Sequence, residues 1–305
     1  MTKIDKSMSG LGKEYPLAKK ATDKMSKAFC IIGNPIEHSL SPLMQNAAFR
    51  HMNLNYSYIG FKVLAEELED AIQSMRKIKI AGFNVTIPHK VEIVKLLDML
   101  SDEAAVAGSV NTVNNDQGRL VGYNTDIDGI MEPVEKRISD FNGLKVLILG
   151  AGGSCRAALV GLARKKGIES INIINRNKER LLAVLEMGKK LGLNCVPYDY
   201  QDKALLSAIS LRSNLIINTS SIGLQGEKSP IKSDWIRGDA IVFDIVYRPI
   251  NTDLIENAKK AGAKIIFGYE MLLCQGYKAF EIWTGLEAPK EIMKQALLGV
   301  FGEPK

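Results

Sequence analysis

Leu144-Lys145-Val146-Leu147-Ile148-Leu149-Gly150-Ala151-Gly152-Gly153-Ser154-Cys155-Arg156-Ala157 is a short apolar run of strand length that breaks into glycines and passes directly into a helix-forming segment over 157–166. A strand that ends in glycines and turns at once into a helix is the first βα turn of a dinucleotide-binding unit. The glycines permit the tight turn and the close approach of a pyrophosphate, whose charge is favoured by unpaired N–H groups at the helix start. Gly150, Ala151, Gly152, Gly153 and Ser154 are thus the predicted cradle. The third small position falls on Cys155, small enough for helix–strand packing. A purely structural glycine turn is the competing reading, and the strand-to-helix setting weighs against it.

Working outward, short strand-like runs recur at 170–174, 215–218, 240–246 and 264–267, and a separate rhythm of strand and helix precedes them at 28–32, 40–52, 56–63, 65–77 and 80–85. Such alternation predicts an α/β protein of two lobes: an N-terminal α/β substrate domain with a mostly parallel sheet, then a Rossmann-type, doubly wound nucleotide-binding domain. A helical pattern over 127–138 ends in the turn-prone Asp140-Phe141-Asn142-Gly143, which marks the junction. The expected bounds are 27–125 and 126–271. Helical patterns over 270–283 and 289–298 have no strand after them, so residues 272–305 are expected to cross back and complete the first lobe, leaving a cleft between the two. Residues 1–26 lack an apolar period and are expected to form a loose or short helical extension.

Composition narrows the function class. Hydrophobic residues make up 46% and charged residues 24%, which suits an ordinary globular protein. The net charge of +6 is scattered rather than gathered, so a small anionic ligand is favoured and nucleic acid is not expected. No apolar stretch is long enough for a membrane span, and no secretory signal pattern opens the chain. Cys30, Cys155, Cys195 and Cys274 lie far apart, in no zinc-binding spacing, and read as small reduced core residues in a cytoplasmic protein. His38, His51 and His89 share no ligand spacing, so no metal is expected. The sequon at Asn218-Thr219-Ser220 is read as a chance match.

Past the second strand of the nucleotide unit the chain reads Ile174-Asn175-Arg176-Asn177-Lys178-Glu179-Arg180. An acidic residue there would hold the ribose of NAD. Arg176 and Arg180 instead suit a 2'-phosphate, because guanidinium forks match phosphate oxygens, and they favour NADP. Solvated charges at a helix start are the bland alternative, and Asn177 keeps NAD open.

The first lobe carries more polar residues at element ends than packing requires. Ser39 and Ser41 precede a helix, where one hydroxyl suffices as a cap and the other is free for a carboxylate. Gly82-Phe83-Asn84-Val85-Thr86-Ile87-Pro88-His89-Lys90 is a strand end expected to feed a helix with Lys90 just inside. Gly108-Ser109-Val110-Asn111-Thr112 and Gly122-Tyr123-Asn124-Thr125-Asp126 follow.

These segments, in this order before a GAGG turn, resemble the shikimate dehydrogenase family through its S-x-S, N-V-T-x-P-x-K, G-[AS]-x-N-T and G-x-N-T-D patterns. The later G-x-x-M-L-x-x-Q pattern is also present, as Gly268, Met271, Leu272 and Gln275. The resemblance runs from about residue 28 to the C-terminus. It implies that Ser39, Ser41, Tyr58, Thr86, Asn111, Thr125, Tyr247 and Gln275 meet the substrate, and that Lys90 and Asp126 do so as the catalytic pair. It further implies that Asn175, Arg176, Asn177, Lys178, Arg180, Ile245 and Gly268 join the glycine turn in holding NADP or NAD. Shikimate or 3-dehydroshikimate is the implied substrate, with quinate as an alternative, and a homodimer is compatible with the family. Asn177 stands where the family's phosphate clamp has Thr or Ser, and the segments 268–285 and 38–41 are similar to the quinate-using branch, so the cofactor stays open. A silent nucleotide sensor of the same fold would have no use for Lys90 and Asp126. A folate or glutamyl-tRNA dehydrogenase would share the GAGG turn but leave Ser39, Thr86 and Asn111 unexplained.

Overall fold

The computed structural model describes residues 26–301, so the expectation for the N-terminal extension falls almost wholly outside the described residues. Two six-stranded sheets organise the rest. The first comprises β1 (Lys27–Gly33), β2 (Tyr56–Lys62), β3 (Gly82–Val85), β4 (Met99–Leu100), β5 (Thr112–Asp116) and β6 (Arg119–Tyr123), in the order β2-β1-β3-β5-β6-β4. The pairs β1–β2, β1–β3 and β4–β6 are parallel, while β3–β5 and β5–β6 are antiparallel. Helix α1 (Ser41–His51) follows β1, α2 (Leu68–Lys77) precedes β3, and α3 (Asp102–Ala107) precedes β5.

Helix α4 (Asp126–Glu135) leads into the second sheet, where β7 (Lys145–Leu149), β8 (Ser170–Ile174), β9 (Cys195–Tyr198), β10 (Leu215–Asn218), β11 (Ile241–Asp244) and β12 (Lys264–Ile266) lie in the order β12-β11-β10-β7-β8-β9. Every pairing in it is parallel. The crossovers are α5 (Gly153–Ala163), α6 (Lys178–Lys190), α7 (Lys203–Arg212) and α8 (Asp253–Ala261); α9 (Gly268–Thr284) and α10 (Lys290–Phe301) close the chain.

The inner strands are buried on both faces, β1 and β3 in the first sheet and β7, β8, β10 and β11 in the second, as strands covered by helices must be. The period of two sorts the side chains: Phe29 and Ile31 join one core with Met44, Phe280 and Leu297, whereas Cys30 and Ile32 join another with Phe83, Val85 and Ile93. In the second sheet Val146 and Ile148 point one way, Leu147 and Leu149 the other. The final helices contact the first lobe: Trp283 donates its indole N–H to the Val113 carbonyl at 3.0 Å, and α10 lies against α1.

Two local expectations need correction. The segment after Val85 is not an α-helix. Lys90 sits in a turn before a 3-10 segment at Glu92–Leu96, because the Thr86 carbonyl accepts from the His89 N–H in a tight turn at 3.0 Å. Neither Ser39 nor Ser41 is the N-cap of α1, a place taken by Leu40 with no side-chain cap. Ser39 instead accepts from the Ser41 N–H at 3.4 Å.

Candidate active site

Both sheets reverse their strand order at one point, and an open α/β sheet binds ligands in the crevice at that point. In the first, β2 and β3 lie on opposite sides of β1; in the second, β8 and β10 lie on opposite sides of β7. The loops after β1, β3, β7 and β10 meet in one cleft of about 350 Å³. From the first lobe it is lined by Ser39, Ser41, Asn84, Thr86, Lys90, Asn111 and Asp126, and from the second by Ser154, Ser220, Ile245, Tyr247 and Gly268, with Gln275 from α9.

Lys90 and Asp126 are brought together here. The ammonium Nζ donates to Asp126 Oδ2 at 2.5 Å, and the two side chains are only 14% and 3% exposed. Asp126 comes from the first turn of α4, where a carboxylate is favoured by the helix dipole. Asn111 donates to its other oxygen, Oδ1, at 2.8 Å and to Thr125 Oγ1 at 2.9 Å, while the Thr125 N–H donates to Asn111 Oδ1 at 2.7 Å. Thr125 is therefore buried behind the wall as a support of Asn111, away from the cleft surface expected of it.

Tyr58 also departs from expectation. It is 1% exposed, and its hydroxyl donates to Asn84 Oδ1 at 2.6 Å, so Asn84 rather than Tyr58 reaches the cleft. Burial pushes the Tyr58 pKa well above its ordinary value, keeping a neutral donor. Tyr247 does line the cleft, next to the Ser39 hydroxyl and the Leu40 backbone; burial raises its pKa too.

The nucleotide turn fits its expected group. Gly150 has φ +106°, a left-handed conformation, and a methyl there would stand 3.0 Å from Thr219 Oγ1. Gly152 faces open space, as a cradle for a pyrophosphate requires. Ala151 and Cys155 are buried in the core beneath. Helix α5 begins at Gly153, earlier than the residue 157 expected, so the turn itself supplies the free N–H groups of the helix start. Arg176, Lys178 and Arg180 are exposed beyond β8. Glu227, which lines the cleft, is held below the usual carboxylate range by backbone N–H groups, that of Gln225 foremost, with a smaller part from the Arg176 charge. Asn177 caps α6, accepting from the Arg180 N–H at 2.8 Å, and Asn175 donates to its carbonyl at 2.8 Å.

Sequence reading missed Asn84, Ser220, Ser221 and Glu227 on the cleft wall. The hydroxyl run at 219–221, directly after a strand, was the available signal. Asn218 of the sequon is 1% exposed and donates to Asp244 Oδ1 at 2.9 Å, out of reach of any modifying enzyme. His89 is buried with its ring against the Val63 carbonyl at 2.8 Å. Among the described residues no three His, Cys, Asp or Glu gather as metal ligands, and no helix is long and apolar enough to cross a membrane.

Residues 31–113 match the shikimate dehydrogenase substrate binding domain, and residues 268–298 match the shikimate 5'-dehydrogenase C-terminal domain. The shikimate dehydrogenase (NADP(+)) of Nitrosopumilus maritimus is 48% identical over 279 residues, 91% of this chain and 100% of that protein. The chain belongs to the shikimate dehydrogenase family. Among solved members, the Thermus thermophilus enzyme in complex with NADP(H) and shikimate superposes with a TM-score of 0.77 at 33% identity, covering 90% of this chain and 99% of that one. The Listeria monocytogenes enzyme in complex with shikimate and NAD gives 0.77 at 36% identity, covering 89% and 96%. The two-lobed α/β architecture with a Rossmann-type nucleotide domain is thus that of the family.

Proposed function

We propose that this protein is an NADP-linked shikimate dehydrogenase, reversibly reducing 3-dehydroshikimate to shikimate in aromatic amino acid biosynthesis by way of chorismate. The observation that carries the reading is the buried Lys90–Asp126 pair on the wall of a cleft whose other side is a dinucleotide turn. The nicotinamide supplies or accepts the hydride. Reduction of a carbonyl leaves an oxyanion that needs a proton, which Lys90 Nζ gives; in the reverse direction the pair withdraws it. Asp126 holds the ammonium and Asn111 holds Asp126. Such proton transfer is worth about 10²- to 10⁴-fold in rate. Ser39 and Ser41 suit the substrate carboxylate, and Thr86, Asn84 and Gln275 its hydroxyls. Gly150, Gly152 and Ser154 would hold the pyrophosphate, and Arg176 the 2'-phosphate.

The same placement supports a substrate lobe over 27–125, completed by 272–305, and a nucleotide lobe over 126–271. Four unpaired cysteines accord with work in a reducing cytoplasm. NAD is the second reading for the cofactor, favoured by Asn177, whose side-chain oxygen caps the helix while its amide N–H suits the hydroxyls of a free ribose.

The test is initial-rate oxidation at 340 nm of shikimate and of quinate, each with NADP and NAD, beside Lys90→Ala. Turnover of shikimate with NADP that collapses in the variant is expected. A folded protein that binds nucleotide yet turns over neither substrate would make it a sensor.

A further inference from the structure

The glycine turn and the lysine of the proton relay touch. A methyl placed on Gly153 would stand 2.9 Å from Lys90 Cβ, 3.2 Å from Cδ and 3.6 Å from Cγ, so the aliphatic stem of Lys90 runs along the backbone of this one residue. The neighbouring Gly152 has nothing within 4 Å of such a methyl. The two adjacent glycines therefore answer different needs: Gly152 leaves room for a ligand, and Gly153 leaves room for Lys90. Further hydrogen bonds hold Gly153 and Lys90 at this place. Ser109 Oγ donates to the Gly153 carbonyl at 3.4 Å, Asn124 holds Ser109 through its hydroxyl at 2.8 Å, and the Lys90 carbonyl accepts from the Val110 N–H at 2.8 Å. Lys90 is thus fixed at its backbone by the first lobe, along its stem by the first residue of α5, and at its head by Asp126.

We propose that Gly153 is a positioning residue for proton transfer: by presenting bare backbone to the stem of Lys90, it sets the ammonium at Asp126 and joins the nucleotide turn mechanically to the proton relay. A side chain at 153 must move either Lys90 or the helix that carries the turn, because 2.9 Å is inside any real contact between two aliphatic carbons. The inference rests on the reading of Lys90 as the proton relay.

Gly153→Ala and Gly152→Ala separate the two needs. Alanine suits a helix start at least as well as glycine, so Gly153→Ala is expected to fold, with its melting temperature lowered only by what the crowding against Lys90 Cβ costs. Its kcat should fall by about tenfold or more, in line with the ~10²-fold that a 1 Å misplacement can cost, with the pH profile of kcat displaced and NADP affinity in the binary complex, read by fluorescence titration, within about twofold. Gly152→Ala should do the reverse, weakening NADP while keeping the pH profile. A Gly153→Ala enzyme with unchanged kcat and pH profile, one whose whole loss lies in NADP affinity, or one that does not fold would each overturn the positioning role. Lys90→Ala tells the two readings apart: if it remains active the relay itself falls, and if it is inactive while Gly153→Ala is normal only this inference falls.

Discussion

Asn111 donates its side-chain N–H to Oδ1 of Asp126 at 2.8 Å, the carboxylate oxygen that Lys90 leaves free when it takes Oδ2 at 2.5 Å. The amide fixes the carboxylate without adding charge, so the charge balance of the site is one ammonium to one carboxylate. Asn111→Asp keeps the shape and breaks that balance. Two carboxylates within hydrogen-bond distance cannot both ionise easily, and one is forced to a higher pKa. The acid limb of the pH profile of kcat/KM should move up by about one unit or more, whereas Asn111→Ala should raise the KM for shikimate without that movement. Equal profiles for the two variants would remove Asn111 from the relay.

Arg176 stands exposed at the end of the second strand of its sheet, where it can meet a 2'-phosphate and has nothing to do for a free ribose. Arg176→Ala should raise the KM for NADP by roughly 10- to 100-fold, the worth of a hydrogen bond to a charged group, and leave that for NAD within about threefold. A parallel rise for both cofactors would place the guanidinium's role elsewhere.

Asn177 allows the complementary experiment. Its Oδ1 accepts from the Arg180 N–H, which is the work of an N-cap. Asn177→Ala should cost about 1 kcal/mol in chemical unfolding while the ratio of NADP to NAD efficiency holds. A changed ratio at unchanged stability would make Asn177 a ligand of the nucleotide rather than a cap.

These positions also mark how far the sequence carried. The GAGG turn was legible because strand period, glycines and helix follow without a gap, and so were the polar segments, because each stands at the end of an apolar strand. Less legible was the β5–β6 hairpin, which hid inside segments read only as site motifs: their asparagines and threonines look like loop chemistry until the sheet pairs Thr112 with Tyr123. The roles of Tyr58 and Thr125 were out of reach for a similar reason. A hydroxyl near a site either meets the ligand or supports the residue that does, and only burial separates the two. Gly153 is the sharpest case, since a glycine's function lies in the neighbour it admits, and Lys90 is distant in sequence.

Asp244 offers a pH-linked prediction away from the proton relay. It closes β11 with 0% exposure, its Oδ1 accepting from Asn218 at 2.9 Å and from the Val246 N–H at 3.0 Å, its Oδ2 from the Thr252 hydroxyl at 2.6 Å. Burial disfavours the charge more than these donors favour it, and the pKa is pushed up to about 6. The folded value thus lies above the unfolded one near 4, and between them the native state holds a proton that the unfolded chain has released. Stability from this group is complete below about pH 4 and is lost as pH rises through about 6, by roughly 3 kcal/mol in total. Asp244→Asn cannot ionise, keeps an acceptor for Asn218 and Val246, and lets the Thr252 hydroxyl turn to accept. Urea unfolding at pH 5 and pH 7.5 should show the wild type losing about 1 kcal/mol more than the variant across that interval. Equal losses would mean that Asp244 is already ionised at pH 5, with its three donors outweighing burial.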